Sequence, residues 1–485
     1  MGKRSIYFMG IGGTGMAAVA GLCQQAGFNV IGSDNPLYPP MSDMLKKLGI
    51  SYLTPYNASN IPVPPPEKIV VANSLSRGHP EVEAMIERQI PYTSFPALLG
   101  EFFLEKRISI VVTGTHGKTT TTALITHMLK ALGANPGYLI GGLPHGFEQS
   151  FDLGKGDLFV IEGDEYDTAF FDKNSKFHHY RPKIVVANNL EFDHADIFPD
   201  LGAIKIQFSK LFQSMAPQHL SANIDDQAIR EILDDIGIGT LVSAVSARSP
   251  SASVKMQSAA PRSHDKHHLW SFVYKTQHWN EMTVDSSLMG IHNGWNIAQA
   301  INVIQILVND YKFPKPEKSD LIAAIKSFQG VQRRLTLLGD VDGIEIYEDF
   351  AHHPTAVGLV LQSFRASYPN KRIIAAFEPR NATSRRNIFT NEYAKSLGFA
   401  DRVYLGACPQ DSRIPENSRM NTQVIANALG EKGLAFDSND ALLVRLTNDL
   451  RPGDSVIFMS SGGFSGIQHK ILACLESRKT APSVC

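Results

Sequence analysis

The sequence has few cysteines, no excess of charge of either sign and no long apolar run. Its 485 residues include four cysteines, at positions 23, 408, 474 and 485, and no two of them form a CxxC pair. This pattern argues against a disulfide framework or a thiolate metal site and is typical of a reducing compartment, so we expect a cytoplasmic protein. A formal net charge of −1 gives no reason to expect nucleic acid or a membrane surface as a partner.

The first residues, "MGKRSIYFMGIGGTGMAAVAGLC", combine a basic start with an apolar stretch, as a signal peptide does. Five glycines between Gly10 and Gly21 interrupt the stretch, which argues against a signal peptide. No run reaches the roughly 18 apolar residues that a membrane helix needs. We therefore expect no membrane association, and the sequence predicts no obligate protein partner.

Short runs rich in β-branched residues alternate with helical patterns along the chain. Nine of these runs read as buried strands that end in turn residues: "SIYFMG", "NVIGSD", "KIVVAN", "ISIVVT", "LFVIEGDE", "KIVVANN", "RIIAAFEP", "DRVYLG" and "DSVIFMSSGG". Strands that alternate with helices predict an α/β fold with parallel sheets. Ligands of such sheets bind beyond the carboxyl ends of the strands.

The length of the chain predicts about three domains, at roughly 150 residues each. A new unit begins with the strand predicted at 108–113, and a second break falls near 327–335, where a helical stretch gives way to new strands. We therefore predict domains at 1–106, 107–328 and 329–485. Segment 244–268 is rich in Ser, Ala and Pro without an apolar period, which predicts a mobile surface insertion.

Gly10, Gly12 and Gly15 form a GxGxxG pattern between a predicted strand and a predicted helix, and Asp34 ends the next strand. In this pattern bare backbone N–H groups meet a diphosphate at a helix N-terminus, and the acid binds ribose hydroxyls. The pattern indicates the diphosphate of a nucleotide, which a UDP-sugar satisfies as well as NAD does. Glycines used only for tight packing, or an NAD-dependent dehydrogenase, are the alternatives for this segment taken alone.

A second glycine loop, "TGTHGKTT", follows the strand predicted at 108–113. It departs from the P-loop pattern because Val112 stands where that pattern has a glycine. The functional parts are present, since Lys118 can reach the β- and γ-phosphate oxygens and Thr119 can ligate Mg²⁺. Two phosphate loops in separate domains predict two phosphorylated substrates, and the second loop suits a triphosphate whose γ-phosphate is transferred.

Polar residues at later strand ends could complete a site around the second loop. Glu162 ends a strand in the position of a carboxylate that holds Mg²⁺ beside a phosphate loop, and His194 follows the next strand. Asn293 and Asn296 lie three residues apart at the start of a predicted helix. Their amides could read a nucleotide base or ribose, or one of them could simply cap the helix.

The third predicted domain opens with Arg334 and, further on, Asp349. An arginine at this position could neutralise the charge of a transferring phosphoryl group. His352 and His353 are a possible zinc pair, but adjacent histidines point to different sides of a strand or loop, which argues against metal ligation there.

The segments "GTHGKTTT", "EGDEYD", "NNLEFDH", "HNGWN", "RRL" and "EDFAHHPT" occur in the order seen in the Mur ligases, and the sequence resembles that family over essentially its whole length. The resemblance implies a three-domain architecture with an N-terminal Rossmann-like UDP-binding domain, a central P-loop ATPase-like domain and a C-terminal Rossmann-like domain. It also implies an ATP-dependent, amide-forming ligase of peptidoglycan metabolism that uses ATP and Mg²⁺.

Roles are carried over only where positions match. The residues implied to bind ATP are Gly114, Thr115, His116, Gly117, Lys118, Thr119, Thr120, Asn293, Asn296, Arg334 and Asp349. Those implied to hold Mg²⁺ are Thr119, Glu162 and His194. Those implied to act in catalysis are Lys118, Glu162, His194, Arg334 and Asp349. Those implied to bind the other substrates are Gly10, Gly12, Gly13, Thr14, Gly15, Ser33, Asp34, Asn73, His116, His353 and Arg380.

Within the family, "GIGGTGM" and "HHPT" resemble enzymes that use UDP-N-acetylmuramate itself as acceptor. Two amine substrates stay open, namely free L-alanine and the tripeptide L-alanyl-γ-D-glutamyl-meso-diaminopimelate. Stretches such as "SDNPLYPPMS", "EYDTAFFDKNSKFHHYRP" and "FMSSGGFSGIQHK" favour the tripeptide, which would make the enzyme one of peptidoglycan recycling. Arg380 and Asn381 stand where the alanine-adding enzymes carry a His-Arg pair, a departure that fits a larger amine substrate.

A nucleotide-sensing module without catalytic activity is the remaining alternative. It would explain both glycine loops but not the accompanying Glu, His, Asn and Arg residues.

Overall fold

In the computed structural model, which describes residues 4–38, 41–262, 269–409 and 411–480, the chain forms three α/β units, each built on its own sheet. The three predicted domains each enclose one of these sheets. The domain limits of 1–106, 107–328 and 329–485 stay a prediction.

The first unit is a five-stranded parallel sheet in the order β3-β2-β1-β4-β5. Its elements are β1 (Ser5–Met9), α1 (Thr14–Gln25), β2 (Asn29–Ser33), α2 (Met41–Leu48), β3 (Tyr52–Leu53), β4 (Lys68–Val71), α3 (Pro80–Glu87), β5 (Tyr92–Thr93) and α4 (Phe95–Leu99). The strand β1 lies at the centre, so the glycine loop that follows it opens at the carboxyl edge of the sheet.

The second unit has a ten-stranded sheet in the order β17-β16-β15-β14-β13-β12-β6-β9-β7-β8 and a separate hairpin, β10-β11. Its strands are β6 (Ile108–Thr113), β7 (Gly137–Leu139), β8 (Phe151–Asp152), β9 (Leu158–Glu162), β10 (Asp167–Ala169), β11 (Asp172–Ser175), β12 (Ile184–Ala187), β13 (Leu220–Asn223), β14 (Ser243–Ser246), β15 (Val254–Pro261), β16 (Trp270–Thr276) and β17 (Asn280–Ser286). Its helices are α5 (Lys118–Ala131), α6 (Leu201–Gln213), α7 (Gln227–Asp235), α8 (Ile291–Asp310) and α9 (Lys318–Lys326).

The third unit is a six-stranded sheet in the order β18-β19-β23-β20-β21-β22, parallel except for the β18–β19 pair. Its strands are β18 (Thr336–Val341), β19 (Ile344–Asp349), β20 (Arg372–Phe377), β21 (Arg402–Leu405), β22 (Gly433–Ala435) and β23 (Asp454–Met459). Its helices are α10 (Pro354–Ser367), α11 (Thr390–Leu397), α12 (Thr422–Leu429), α13 (Asn439–Asp449) and α14 (Ile467–Thr480).

All nine runs predicted as strands are strands, and the α/β class is confirmed. The interpretation of 244–268 as a mobile surface insertion was wrong for the strands it contains, because β14 and β15 bury Val245, Val254 and Met256. Residues 263–268 lie outside the described residues. The β15–β17 meander is antiparallel, so one face of it packs on the core and its apolar residues alternate with polar ones.

The first and second units pack closely against each other. Gly21 of α1 lies against the ring of Phe151, and a Cβ placed at Gly21 would come within 2.3 Å of that ring. Since no larger side chain fits there without displacing the ring, glycine at position 21 sets how closely α1 approaches β8. Across the described ranges, no helix combines the length and the apolarity needed to cross a membrane.

A row of buried amides on α8 joins this helix to the central sheet. Gln299, Asn302 and Gln305 recur every third residue and are all at most 1% exposed. Asn302 donates hydrogen bonds to the hydroxyl of Ser221 (2.8 Å) and to the backbone carbonyl of Ser243 (3.0 Å). Buried polar groups that are fully paired fix one arrangement of the elements they join, because any shift leaves them unpaired.

We expect Asn302→Ala to destabilise the central unit by about 1–3 kcal/mol, because it leaves buried partners without a hydrogen bond. Asn309→Ala on the same helix is the matched control, since Asn309 is exposed and contacts His278 at the surface. All three tryptophans, Trp270, Trp279 and Trp295, lie in the second unit, so the urea midpoint of tryptophan fluorescence measures its unfolding. Equal midpoints for the two variants would contradict the assigned role of the amide row.

Candidate active site

The second glycine loop connects β6 to α5 at the carboxyl edge of the central sheet. Gly114 and Gly117 take positive φ angles of 127° and 82°, which other residues adopt at a cost. A Cβ at Gly114 would lie 2.9 Å from the backbone carbonyl oxygen of Asn189, and one at Gly117 would lie 2.5 Å from the Asn296 side chain. These two glycines are therefore needed for the shape of the loop, which sets backbone N–H groups at the start of α5.

The Lys118 side chain folds back over this loop and reaches a buried carboxylate. Its ammonium donates to the carbonyl of Gly114 (2.7 Å) and to Glu165 Oε2 (3.2 Å). The other oxygen of Glu165 lies 2.8 Å from Nε2 of His194. Glu165 therefore connects the phosphate-loop lysine to the histidine that the sequence predicts at the metal, and Glu165 itself was not among the predicted site residues.

Burial alone would raise the pKa of Glu165, but Lys118 and His194 lower it to about 2. In the same way burial alone would lower the pKa values of Lys118 and His194, and the Glu165 carboxylate raises both above their usual ranges. The three groups therefore stabilise one another in their charged forms.

Thr119 and Glu162 face each other beside the phosphate loop. The Thr119 hydroxyl donates to Glu162 Oε2 (3.0 Å), and the backbone N–H of Gly141 donates to the other carboxylate oxygen. Burial, together with the nearby charge of Asp164, raises the pKa of Glu162. A hydroxyl and a carboxylate in contact offer two oxygen donors of the kind that Mg²⁺ prefers.

Arg334 reaches into this site from the third unit. Its Nη2 lies 3.4 Å from the Thr119 hydroxyl, and its guanidinium group stacks over the ring of Phe350. Asp349 is buried and accepts hydrogen bonds from the backbone N–H groups of Leu335 (2.7 Å) and Ala351 (2.6 Å). The contacts of Asp349 therefore hold the turn that carries Arg334.

The two asparagines of α8 differ in their surroundings. Asn296 is buried and accepts from the Thr121 hydroxyl of α5 (3.1 Å), while its own amide donates to Asn293 Oδ1 (2.9 Å). Asn293 also donates to the carbonyl of Met289 (2.7 Å). Neither asparagine makes the side-chain hydrogen bond that would cap α8, so the capping alternative is not supported.

His292 is a further candidate residue of the site that was not predicted from the sequence. Its Nδ1 is buried without a hydrogen-bond partner, and burial lowers the pKa of this imidazole to about 4. His116 and Arg334 lower it further. The one sequence signal for His292 is its place in the pattern "HNGWN", directly before Asn293.

His116, Glu191 and His353 form a second polar cluster beside the phosphate loop. Nε2 of His116 lies 2.9 Å from Glu191 Oε2, and Nδ1 of His353 lies 3.2 Å from the same oxygen. One donor atom from each lies within 4.8 Å of the others, so the cluster is a geometrically possible cation site. Because His353 belongs to the third unit, the cluster also joins two units. His352 points elsewhere, with Nε2 3.7 Å from Asp193, as expected for adjacent histidines.

Thr115 and Thr120, which the resemblance implies to bind ATP, lie on either side of Lys118. The Thr115 hydroxyl accepts from the backbone N–H of Glu191 (2.8 Å), and Thr120 is buried in the first turn of α5.

The first glycine loop connects β1 to α1, as predicted. Gly10 has a φ of 79°, Gly13 caps the helix, and Thr14 and Gly15 form its first turn. The N–H of Gly12 donates to Asp34 Oδ2 (2.7 Å), so the acid at the end of β2 lies directly against the loop. Gly15 packs on the ring of Phe95, since a Cβ there would come within 3.3 Å of it.

Two residues predicted near the first loop are engaged by other side chains. Ser33 is fully buried and its hydroxyl donates to Glu81. The Asn73 amide donates to Asp167 Oδ1 (2.7 Å) in the second unit. Asn73 thus lies where the first and second units meet.

Arg380 lies in the third unit, three residues after the end of β20. Its side chain is 53% exposed, with Nη1 3.9 Å from the buried Glu378, and its stem packs against Gly462. The guanidinium group is therefore available to solvent at the carboxyl edge of the third sheet.

Comparison with known proteins agrees with this geometry. Three family models match in order: the Mur ligase family catalytic domain at 5–107, the Mur ligase middle domain at 112–304, and the Mur ligase glutamate ligase domain at 333–462. A ligase of Escherichia coli strain K12, named for UDP-N-acetylmuramate and L-alanyl-γ-D-glutamyl-meso-2,6-diaminoheptanedioate, is 38% identical, covering 98% of this chain and 99% of the relative.

Two further relatives span the chain. The UDP-N-acetylmuramate–L-alanine ligase of Desulforapulum autotrophicum is 28% identical, covering 97% of this chain and 98% of the relative. The solved structure of a murein peptide ligase from Psychrobacter arcticus superposes with a TM-score of 0.69 at 31% identity, covering 97% of this chain and 98% of that one. The chain belongs to the Mur ligase family, whose members are ATP-dependent ligases.

We expect Glu165→Gln to lower kcat roughly 10- to 100-fold while the protein stays folded, since partners that orient a metal-binding residue typically contribute that much. Gln keeps the size of the side chain but removes the charge that holds Lys118 and His194. Steady-state kinetics with all substrates checks this, and Glu148→Gln, an exposed carboxylate of the same unit, is the control. An unchanged kcat in a folded Glu165 variant would rule out the role assigned to this carboxylate.

Proposed function

We propose that this protein joins the lactyl carboxylate of UDP-N-acetylmuramate to the tripeptide L-alanyl-γ-D-glutamyl-meso-diaminopimelate at the expense of ATP. The observation that carries the proposal is the convergence of Lys118, Thr119 and Glu162 with Arg334 from another unit, in a chain that matches a ligase of this name over its full length at 38% identity. Such an enzyme would return recovered peptide to the cell-wall precursor pool.

ATP fits the second glycine loop. The backbone N–H groups at the start of α5 suit its phosphates, Lys118 would contact the γ-phosphate, and the orphaned Nδ1 of His292 together with the Asn293 amide would meet the nucleoside. Arg334 would add positive charge from the third unit. Asn296 would mainly hold α5 in position, since its side chain already accepts a hydrogen bond from Thr121 of that helix.

Thr119, Glu162 and His194 are the residues that would hold Mg²⁺, and His194 would bind it through Nδ1 only in its neutral form, since a protonated imidazole has no lone pair for a metal. The Thr119 hydroxyl and the Glu162 carboxylate are in contact and offer oxygen donors, which fits this ion. Mg²⁺ at this position would supply positive charge against the phosphate oxygens during transfer. His194 is bonded through Nε2 to Glu165, so Glu165 would set the orientation of the ring.

The chemistry requires ATP because a carboxylate is a poor electrophile. Transfer of the γ-phosphoryl group to the lactyl carboxylate gives an acyl phosphate and ADP. The amine of the L-alanyl residue then attacks the acyl carbon, and the tetrahedral intermediate expels phosphate as the amide forms. The protein contributes position and charge neutralisation, through Lys118 and Arg334.

The acceptor would bind with its diphosphate on the first glycine loop, where Gly12, Gly13 and Asp34 lie. The peptide would enter from the third unit, where Arg380 is exposed and can pair with a peptide carboxylate. The rings of His116 and His353 lie 4.8 Å apart where the second and third units meet, and they would line the path of the muramate group. Free L-alanine is the alternative amine, and a relative of that name is 28% identical.

Phosphate release from ATP and Mg²⁺ in the presence of UDP-N-acetylmuramate tests the proposal. We expect release with the tripeptide and only background release with free L-alanine, because the tripeptide has further carboxylates that can pair with Arg380 and alanine has only its own. Release with alanine alone would identify an alanine-adding enzyme instead. Omitting UDP-N-acetylmuramate is the control for uncoupled hydrolysis.

Lys118→Ala and Glu162→Ala should each abolish ATP-dependent ligation, because they remove a group that acts on the phosphates or the metal. The fold should survive, since His194 still pairs with Glu165 in the Lys118 variant. Lys130→Ala is the matched control, as this lysine lies on the same helix, is exposed and packs over the ring of Phe147. The measurement is product formation by chromatography together with the fluorescence midpoint of each variant. Wild-type turnover in either folded variant would contradict the assignment of Lys118 to the phosphates and of Glu162 to the metal.

A further inference from the structure

Lys176 lies between the two glycine loops, at the start of the segment that follows the β10–β11 hairpin. Its side chain is only 14% exposed, and its ammonium lies 3.3 Å from Asp164 Oδ2. It also lies 5.3 Å from the ring centre of Phe95 and 4.9 Å from that of Tyr166. The cation is thus held between a ring of the first unit and a ring of the second.

The two rings connect Lys176 to both candidate sites. Phe95 is the ring on which Gly15 of the first glycine loop packs. Tyr166 stacks against the imidazole of His194, with ring centres 4.1 Å apart. A group held at Lys176 would therefore lie between the first glycine loop and the residues expected around the γ-phosphate.

The first glycine loop needs a cation from elsewhere. Residues 10–15 and the whole of α1 carry no charged side chain, so this segment can offer only backbone N–H groups and the helix terminus to an anion. The nearest acid, Asp34, already takes the N–H of Gly12 and adds negative charge. A diphosphate bound there would carry negative charge that the loop does not neutralise.

The ammonium of Lys176 has donors to spare. A lysine carries three N–H donors, and among the described residues a single carboxylate oxygen, that of Asp164, accepts from it. The contacts with the rings of Phe95 and Tyr166 hold the Lys176 side chain in place without using its N–H donors. A partly desolvated ammonium with free donors binds phosphate oxygens more strongly than an exposed one does.

We propose that Lys176 binds the diphosphate of the nucleotide-sugar acceptor and supplies the positive charge that the first glycine loop lacks. This inference rests on the proposed function, since it takes UDP-N-acetylmuramate as the acceptor. It assigns to the second unit a direct part in holding a substrate whose nucleotide lies on the first unit.

Calorimetric titration of the full chain with UDP, and separately with UDP-N-acetylmuramate, tests the assignment. We expect Lys176→Met to weaken binding of both ligands about tenfold or more, the usual effect of losing one charge-assisted hydrogen bond, and Lys176→Arg to recover part of it. ADP binding should change less than twofold. Lys173→Met is the matched control, because Lys173 lies three residues before Lys176, on β11, but is 67% exposed and pairs with Asp167.

The outcomes separate the two hypotheses. Unchanged binding of UDP and UDP-N-acetylmuramate by a folded Lys176→Met variant would overturn this assignment and leave the proposed function standing. Weakened binding of UDP-N-acetylmuramate with unchanged binding of UDP would move the contact from the diphosphate to the muramate group and overturn it as well. If the wild type binds neither ligand, the proposed acceptor is wrong and this inference falls with it.

Discussion

The buried carboxylate of Glu165 is the group on which the arrangement of the candidate ATP site depends. It lies between Lys118 of the phosphate loop and His194 of the segment that follows β12, and each of its two oxygens contacts one of them. A carboxylate this deeply buried is stable in its charged form only with partners, and the two cations are stable there only because of it. The three positions are therefore set together, before any nucleotide binds.

Parallel sheets explain why these residues meet. The strands β6, β9 and β12 lie side by side in the central sheet, and the segments at their carboxyl ends carry Lys118, Glu162 and His194 to one edge. This part was predictable from the sequence, because short apolar runs ending in polar residues identify both the strands and their direction. The same reasoning located the first glycine loop between β1 and α1.

Other features were not predictable because the local sequence does not distinguish them. The run from Glu162 to Asp167 contains four acids, and only the fold shows that Glu165 turns inward to Lys118 while Asp167 turns to Asn73. The strand β15 was missed because its serines and alanines hide the apolar period. The alternating Trp270, Phe272 and Tyr274 of β16, all buried, were the signal that could have identified this meander.

The third unit completes the site through contacts that no single segment encodes. Arg334 reaches Thr119, and His353 reaches Glu191, so two residues of this unit touch the phosphate loop and its neighbour. Asp349 holds the Arg334 turn through backbone N–H groups, which is why a buried acid far along the chain matters at the phosphate loop. The first glycine loop, the second glycine loop and the pair Arg334 and His353 belong to three separate units. The reacting groups can therefore meet only where these units pack against one another. The positions of those units relative to one another, more than any one side chain, therefore determine whether the carboxylate, the phosphate and the amine come together.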